Sequence, residues 1–171
     1  TDDPKGPKNV YGASKLAGEE AVAAHLTDYF IVRISWVFGT HGKNFVKTML
    51  SLADTHKSLS VVSDQIGSPT YTRDLAPLLA DMIVSDRYGV YHATNEGFCS
   101  WAEFAREIFR AAGKDVAVTS VPSRAYPTKA ARPKNSRLSK KSLDAAEFRR
   151  LPPWQDAVAR FLAELKQDAQ A

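Results

Sequence analysis

Tyr11 and Lys15 lie four residues apart in the stretch Val10-Tyr11-Gly12-Ala13-Ser14-Lys15. On a helix, residues at this spacing project from the same face. A free phenol has a pKa near about 10 and is a poor proton donor at neutral pH. A neighbouring ammonium stabilises the phenolate and fits the phenol for general acid–base catalysis. The spacing alone describes a half-buried aromatic beside a solvated lysine equally well. Its weight comes from what surrounds it.

A second candidate is a basic segment. Residues 122–141 carry seven Lys/Arg (Arg124, Lys129, Arg132, Lys134, Arg137, Lys140, Lys141) and no acid. The chain has 171 residues and a formal net charge of +4, and residues 1–100 hold 9 Lys/Arg against 11 Asp/Glu. The basicity therefore belongs to one segment. Such a patch suits nucleic acid, a phosphorylated small ligand or solubility alone. Lys140 and Lys141 read as a solvated face. His25, His41, His56 and His92 show no metal spacing, and the one cysteine, Cys99, excludes a disulfide framework and suits a reducing compartment.

The elements that would position these groups alternate. Helix formers fill Asn9 to about Leu26, and Tyr29–Ser35 reads as a buried strand. Residues 37–42 form a loop, and Asn44 to about Ala53 has helical spacing. Leu59–Val62 is a short strand, and 64–70 is rich in turn residues, with Gln65, Gly67, Ser68 and Pro69 as turn chemistry. A helix follows from Arg73 to Ile83, then a strand at Val90–His92. Ser100-Trp101-Ala102-Glu103 is a capping box that starts a helix ending near Gly113. Val116–Val121 is a strand, 122–141 a long loop, and helices at 142–148 and 154–166 close the chain. This order predicts an α/β fold with a parallel sheet. No apolar run approaches the roughly 18 residues of a membrane span.

The stretch Pro7–Glu19 resembles the catalytic helix of extended short-chain dehydrogenases/reductases acting on nucleotide sugars. Arg33-Ile34-Ser35-Trp36-Val37-Phe38-Gly39 is similar to the strand and loop that follow it. Asn44–Leu50, Asp64–Thr70, Ala131–Leu138 and Leu151-Pro152-Pro153-Trp154 resemble, in order, segments of the dTDP-4-dehydrorhamnose reductase branch. The resemblance runs from residue 1 to about 165. It implies a fold: the C-terminal part of a Rossmann-like reductase, with the catalytic helix and core strand in 1–40 and mostly substrate-binding lobe in 41–171.

It also implies chemistry. NADPH, or NADH, delivers hydride to the C4 ketone of dTDP-6-deoxy-L-lyxo-4-hexulose, forming dTDP-L-rhamnose. Tyr11 would protonate the alkoxide; Lys15 would lower the Tyr11 pKa and hold the nicotinamide ribose. Trp36, Asn44 and Phe45 become substrate-lining candidates, and the basic segment gains a nucleoside diphosphate as partner: arginine forks match phosphate oxygens two at a time, which marks Arg132 and Arg137, with Asn135 and Ser136 as neutral donors. The family's third catalytic residue, a Ser or Thr, lies upstream of the Tyr, and Ser14 is not given that role. No three of the nine glycines satisfy G-x-x-G-x-x-G or G-x-G-x-x-G, so no pyrophosphate cradle is visible. With Thr1 in place of Met, this predicts a missing N-terminal half of about 100–130 residues. The 171 residues alone should neither bind NADPH nor turn over.

The expected setting is cytoplasmic, with a dTDP-sugar as partner, no nucleic acid, no membrane and room for a homodimer. No metal site is expected in these residues, although some relatives bind Mg²⁺. Two other readings stay open. One is a non-catalytic interaction module, like the regulatory subunit of methionine adenosyltransferase that shares the fold. The other is an epimerase or dehydratase acting on another nucleotide sugar.

Overall fold

Short parallel strand pairs joined through helices organise the chain. The structure is a computed structural model and describes residues 1, 3–126 and 132–168. Lys129 of the basic segment and Ala131 lie outside the described residues. In chain order the elements are α1 (Val10–His25), β1 (Phe30–Arg33), β2 (Val37–Phe38), α2 (Phe45–Ala53), β3 (Ser58–Val62), β4 (Ile66–Gly67), β5 (Thr70–Tyr71) and α3 (Thr72–Ile83). Then come β6 (Gly89–His92), β7 (Asn95–Glu96), β8 (Cys99–Ser100), α4 (Trp101–Ala112), β9 (Ala117–Val121), a 3-10 turn (Ser123–Ala125), β10 (Asn135–Ser136), α5 (Lys141–Ala145), β11 (Leu151–Pro153) and α6 (Trp154–Asp168).

β1 pairs with β6, β2 with β5, β3 with β9, β10 with β4 and β11 with β7, all parallel. β4 also pairs with β8, antiparallel. Parallel pairs need crossover connections, and the helices supply them. The α/β class with parallel pairing expected from the alternation is therefore present.

Two apolar clusters hold the layers. One joins α2, α4 and α6 through Val46, Phe104, Ile108, Phe161 and neighbours. The other joins α3, β6 and the 143–151 region through Leu75, Met82, Tyr91, Leu143 and Phe148. α4 shows how sequence sets such an element. Phe104, Ala105, Ile108 and Phe109 form one buried stripe. Ser100 Oγ accepts from the Glu103 N–H at 3.1 Å, and Glu103 Oε2 accepts from the Ser100 N–H at 2.7 Å. Gly113, at φ 65°, ends the helix in the left-handed region.

The structure corrects several boundaries. The 122–141 segment is not one loop: it holds the 3-10 turn and β10, and β10 lies beside β4 in the stretch read as turn. Two-residue strands are too short to show a period of two. β11 contains two prolines, residues rare within strands; it pairs with β7 through an irregular register. The helix expected at 142–148 is the shorter α5. Lys140 does not join a solvated face. It is only 5% exposed, whereas Lys141 is exposed.

Candidate active-site cleft

A cleft of about 1050 Å³ opens where β1 ends. Tyr11, Lys15 and Glu19 of α1 line it, as do residues 31–37. Gln65, Trp101 and the segment bearing Arg132, Pro133, Ser136 and Leu138 line it as well. Asn9 caps α1, its Oδ1 accepting from the Gly12 N–H at 2.8 Å. The helical spacing then does what the sequence promised. Lys15 Nζ stands 5.7 Å from the centre of the Tyr11 ring, and Tyr11 is 71% exposed. Ser14 Oγ donates to the Tyr11 carbonyl, a bond within the helix.

Trp36 is held in a costly conformation. Its φ is 48°, in the left-handed region that bulky residues avoid at about 1–2 kcal/mol. Its surroundings enforce this. The Thr70 N–H donates to the Trp36 carbonyl at 3.2 Å, Thr70 Oγ1 to the Ser35 carbonyl at 2.6 Å, and Ser35 Oγ to the Ser68 carbonyl at 2.6 Å. The indole stacks on Trp101 with centroids 3.7 Å apart and planes 15° from parallel. The turn residues Gly67, Ser68 and Thr70 thus clamp the Trp36 loop. Their sequence showed turn chemistry but not what the turn holds.

Asn44 and Phe45 sit elsewhere. Asn44 spends its amide on capping α2: Oδ1 accepts from the Lys47 N–H at 3.0 Å, and Nδ2 donates to the Gly39 carbonyl at 2.8 Å. Phe45 packs on Trp101 at 4.6 Å and Phe104 at 5.5 Å. It lines a second, adjoining pocket of about 470 Å³ with Met49, Val61 and Tyr126. Gln65, Trp101 and Arg132 line both spaces.

The basic residues divide. Arg132 lines the cleft and the pocket, and among the described residues it has no carboxylate partner. Asn135 and Arg137 are not brought into the cleft. Ser136 and Leu138 line the cleft, whereas Asn135 and Arg137 meet each other outside it. There Arg137 Nε donates to Asn135 Oδ1 at 2.9 Å, and the guanidinium lies 5.9 Å from the Phe98 ring centre. Lys140 shares that ring at 4.8 Å. Its Nζ has no hydrogen-bond partner, and burial pulls its pKa below the ordinary lysine value.

Two cleft residues were missed. Glu19 continues the Tyr11–Lys15 spacing by one more turn, which the sequence could have revealed. Its partner Arg33 ends β1, and nothing in the local sequence points to the pairing. Arg33 donates to both Glu19 oxygens, from Nε at 2.7 Å and from Nη2 at 2.6 Å. That fork holds the Glu19 carboxyl below its usual range. Among the described residues no three His, Cys, Asp or Glu side chains gather as a metal site.

A nicotinamide dinucleotide can be tested against these residues. Tyr11 and Lys15 present a phenol and an ammonium to an open cleft, which fits the nicotinamide–ribose end. No glycine-rich turn leads into any described helix, so the pyrophosphate end has no cradle among the described residues.

Residues 1–167 match the sequence model of the RmlD substrate binding domain. The spore coat polysaccharide biosynthesis protein SpsK of Bacillus subtilis is 46% identical over 163 residues, covering 95% of this chain and 57% of that protein. The crystal structure of a dTDP-4-dehydrorhamnose reductase from Bacillus anthracis in complex with NADP is 44% identical. It has a TM-score of 0.88 and covers 95% of this chain and 60% of that one. A reductase of the same name from Clostridium acetobutylicum is 41% identical, with a TM-score of 0.94, covering 96% of this chain and 59% of that one. The expected fold class, part of a Rossmann-like extended short-chain dehydrogenase/reductase, is the fold of these neighbours. The chain spans somewhat under two thirds of the length of the relatives it matches. With its cleft, its Tyr–Lys face and a match over nearly every residue, this chain belongs to the RmlD substrate binding domain family.

Proposed function

We propose that these residues form the proton-donor helix and the nucleotide-sugar site of an NADPH-dependent dTDP-4-dehydrorhamnose reductase. The substrate on this reading is dTDP-6-deoxy-L-lyxo-4-hexulose and the product dTDP-L-rhamnose. One observation carries the proposal above the others: Tyr11 and Lys15 share a single cleft with Arg132, a cation that has no carboxylate partner among the described residues.

The dinucleotide, when bound, supplies a hydride. Tyr11 gives its hydroxyl proton to the sugar oxygen as negative charge builds there. Lys15 stabilises the phenolate left behind and donates to a ribose hydroxyl. Trp36, fixed by its clamp, offers a flat apolar face to the sugar. Arg132, placed between cleft and pocket, receives the diphosphate. The apolar pocket beside it, with Phe45 and Tyr126, takes the thymine ring. Asn44, Asn135 and Arg137 have no part in this arrangement, because their side chains are engaged elsewhere. The enzyme on this reading is cytoplasmic.

Calorimetric titration of dTDP into the chain tests the site. Weak binding is expected, reduced at least tenfold in Arg132→Ala and unchanged in Tyr11→Phe. In a complete reductase carrying these residues, Tyr11→Phe should lower turnover by about 10²–10⁴. Wild-type turnover surviving that substitution overturns the proton-donor role, and dTDP binding indifferent to Arg132 overturns the diphosphate role.

A further inference from the structure

Tyr11, Lys15 and Glu19 succeed one another at every fourth residue and share one face of α1. That helix buries none of its residues, so apolar packing does little to fix it. The Arg33 fork onto Glu19 does so instead, and it reaches further. Arg33 Nη1 stands 3.4 Å from His92 Nε2, and His92 Nδ1 stands 3.1 Å from the Ser139 carbonyl. One proton arrangement satisfies both contacts: Nδ1–H donates to Ser139, and Nε2 accepts from Arg33. The ring is then neutral, as its burial favours. Glu19, Arg33, His92 and Ser139 form a continuous chain of contacts from α1 across β1 and β6. It ends one residue beyond Leu138, which lines the cleft.

We propose that Arg33 is a positioning residue that, through Glu19 and His92, fixes the Tyr11–Lys15 face of α1 relative to the cleft-lining segment 132–138. The proposal rests on the reading that this cleft is the active site. It adds that the proton donor and the sugar-nucleotide contacts are set by one shared arginine. Arg33 suits the task because its planar guanidinium serves a carboxylate and an imidazole at once, which an ammonium cannot do in the same geometry.

Amide hydrogen exchange read by mass spectrometry tests this on the 171-residue chain, in wild type, Arg33→Met, Arg33→Lys and Glu19→Gln. Arg33→Met should speed exchange at least fivefold in both 10–25 and 134–139, with β3, β9 and α4 unchanged. Arg33→Lys, which keeps charge without the fork, should give an intermediate effect. Glu19→Gln should loosen 134–139 as well as α1, which a local helix anchor would not do. Loosening of α1 alone in these variants overturns the proposal, as does no change in either segment. Should Arg33→Met also loosen β3 and β9, Glu19→Gln decides by the same criterion. Titrating dTDP into the same proteins separates the two failures. Coupled exchange without dTDP binding removes the functional reading and leaves the network; dTDP binding with uncoupled exchange removes the network alone.

Discussion

The indole of Trp36 lies so close to Gly67 that a Cβ on Gly67 would stand 2.7 Å from Trp36 Cε2. The same Cβ would stand 2.6 Å from Ser136 Oγ on β10. Both neighbours line the cleft, so Gly67 sets how near the Trp36 loop and the 132–138 segment approach the β4 turn. Gly67→Ala must push one or both away. Overpacking of this kind costs about 1–3 kcal/mol. Urea unfolding should show that loss, and near-ultraviolet circular dichroism should show weakened coupling between Trp36 and Trp101. An unchanged unfolding midpoint and spectrum would show that the contact yields without consequence.

The sequence made some elements plain and hid others for physical reasons. Asn9, Ser100, Glu103 and Gly113 announce helix ends because a cap is a local bond between near neighbours. Tyr11 and Lys15 meet because both sit on one helix. Trp36 was legible as a candidate, but not its φ of 48° or the clamp by Ser68 and Thr70, which are more than thirty residues away. Arg137 could not be placed from the sequence, because β10, which ends one residue before it, is visible only through its pairing with β4. Arg33 was overlooked because its two partners lie 14 and 59 residues distant.

The capping box makes α4 a measurable unit of stability. Ser100→Ala removes an N-cap and should cost about 1 kcal/mol. The Ser100 N–H, then its hydroxyl, hold the Glu103 carboxyl below the ordinary value of 4.5. A depressed carboxyl adds stability above its unfolded pKa and loses it as pH falls through the folded value. The gap between wild type and Ser100→Ala should therefore shrink from pH 7 to pH 3 in urea titrations. A gap that stays constant would mean that Glu103 gains nothing from the Ser100 hydroxyl.

His92 carries a second pH dependence. Burial first, then Arg33, hold its pKa below 6.5, while the Ser139 carbonyl and Glu19 act the other way. The unfolded chain therefore binds the proton more readily than the fold does. Stability should be full above about pH 6.5 and fall as pH drops through the lower folded value. Melting temperatures between pH 7.5 and 5 should decline more steeply in wild type than in His92→Gln, which keeps a donor and an acceptor but cannot titrate. Parallel slopes would show that His92 binds its proton equally well in the folded and unfolded chain.

Lys140 sits uncomfortably in the fold. Its ammonium is buried without a hydrogen-bond partner, with the Phe98 ring 4.8 Å away and only the nearby Glu96 charge favouring it. A buried cation so poorly compensated costs more than an apolar side chain of similar volume. Glu96 keeps Arg150, at 3.4 Å, when Lys140 is removed. Lys140→Met should therefore stabilise the chain by about 1 kcal/mol and raise its melting temperature by several degrees. The pH dependence follows from the lowered pKa. The unfolded chain holds the lysine proton to higher pH than the fold does, so wild-type stability should rise as pH climbs through the folded value toward 10.5. Lys140→Met should lack that rise. If it instead melts lower than wild type at pH 7, the ammonium is a structural asset and its contact with Phe98 outweighs its burial.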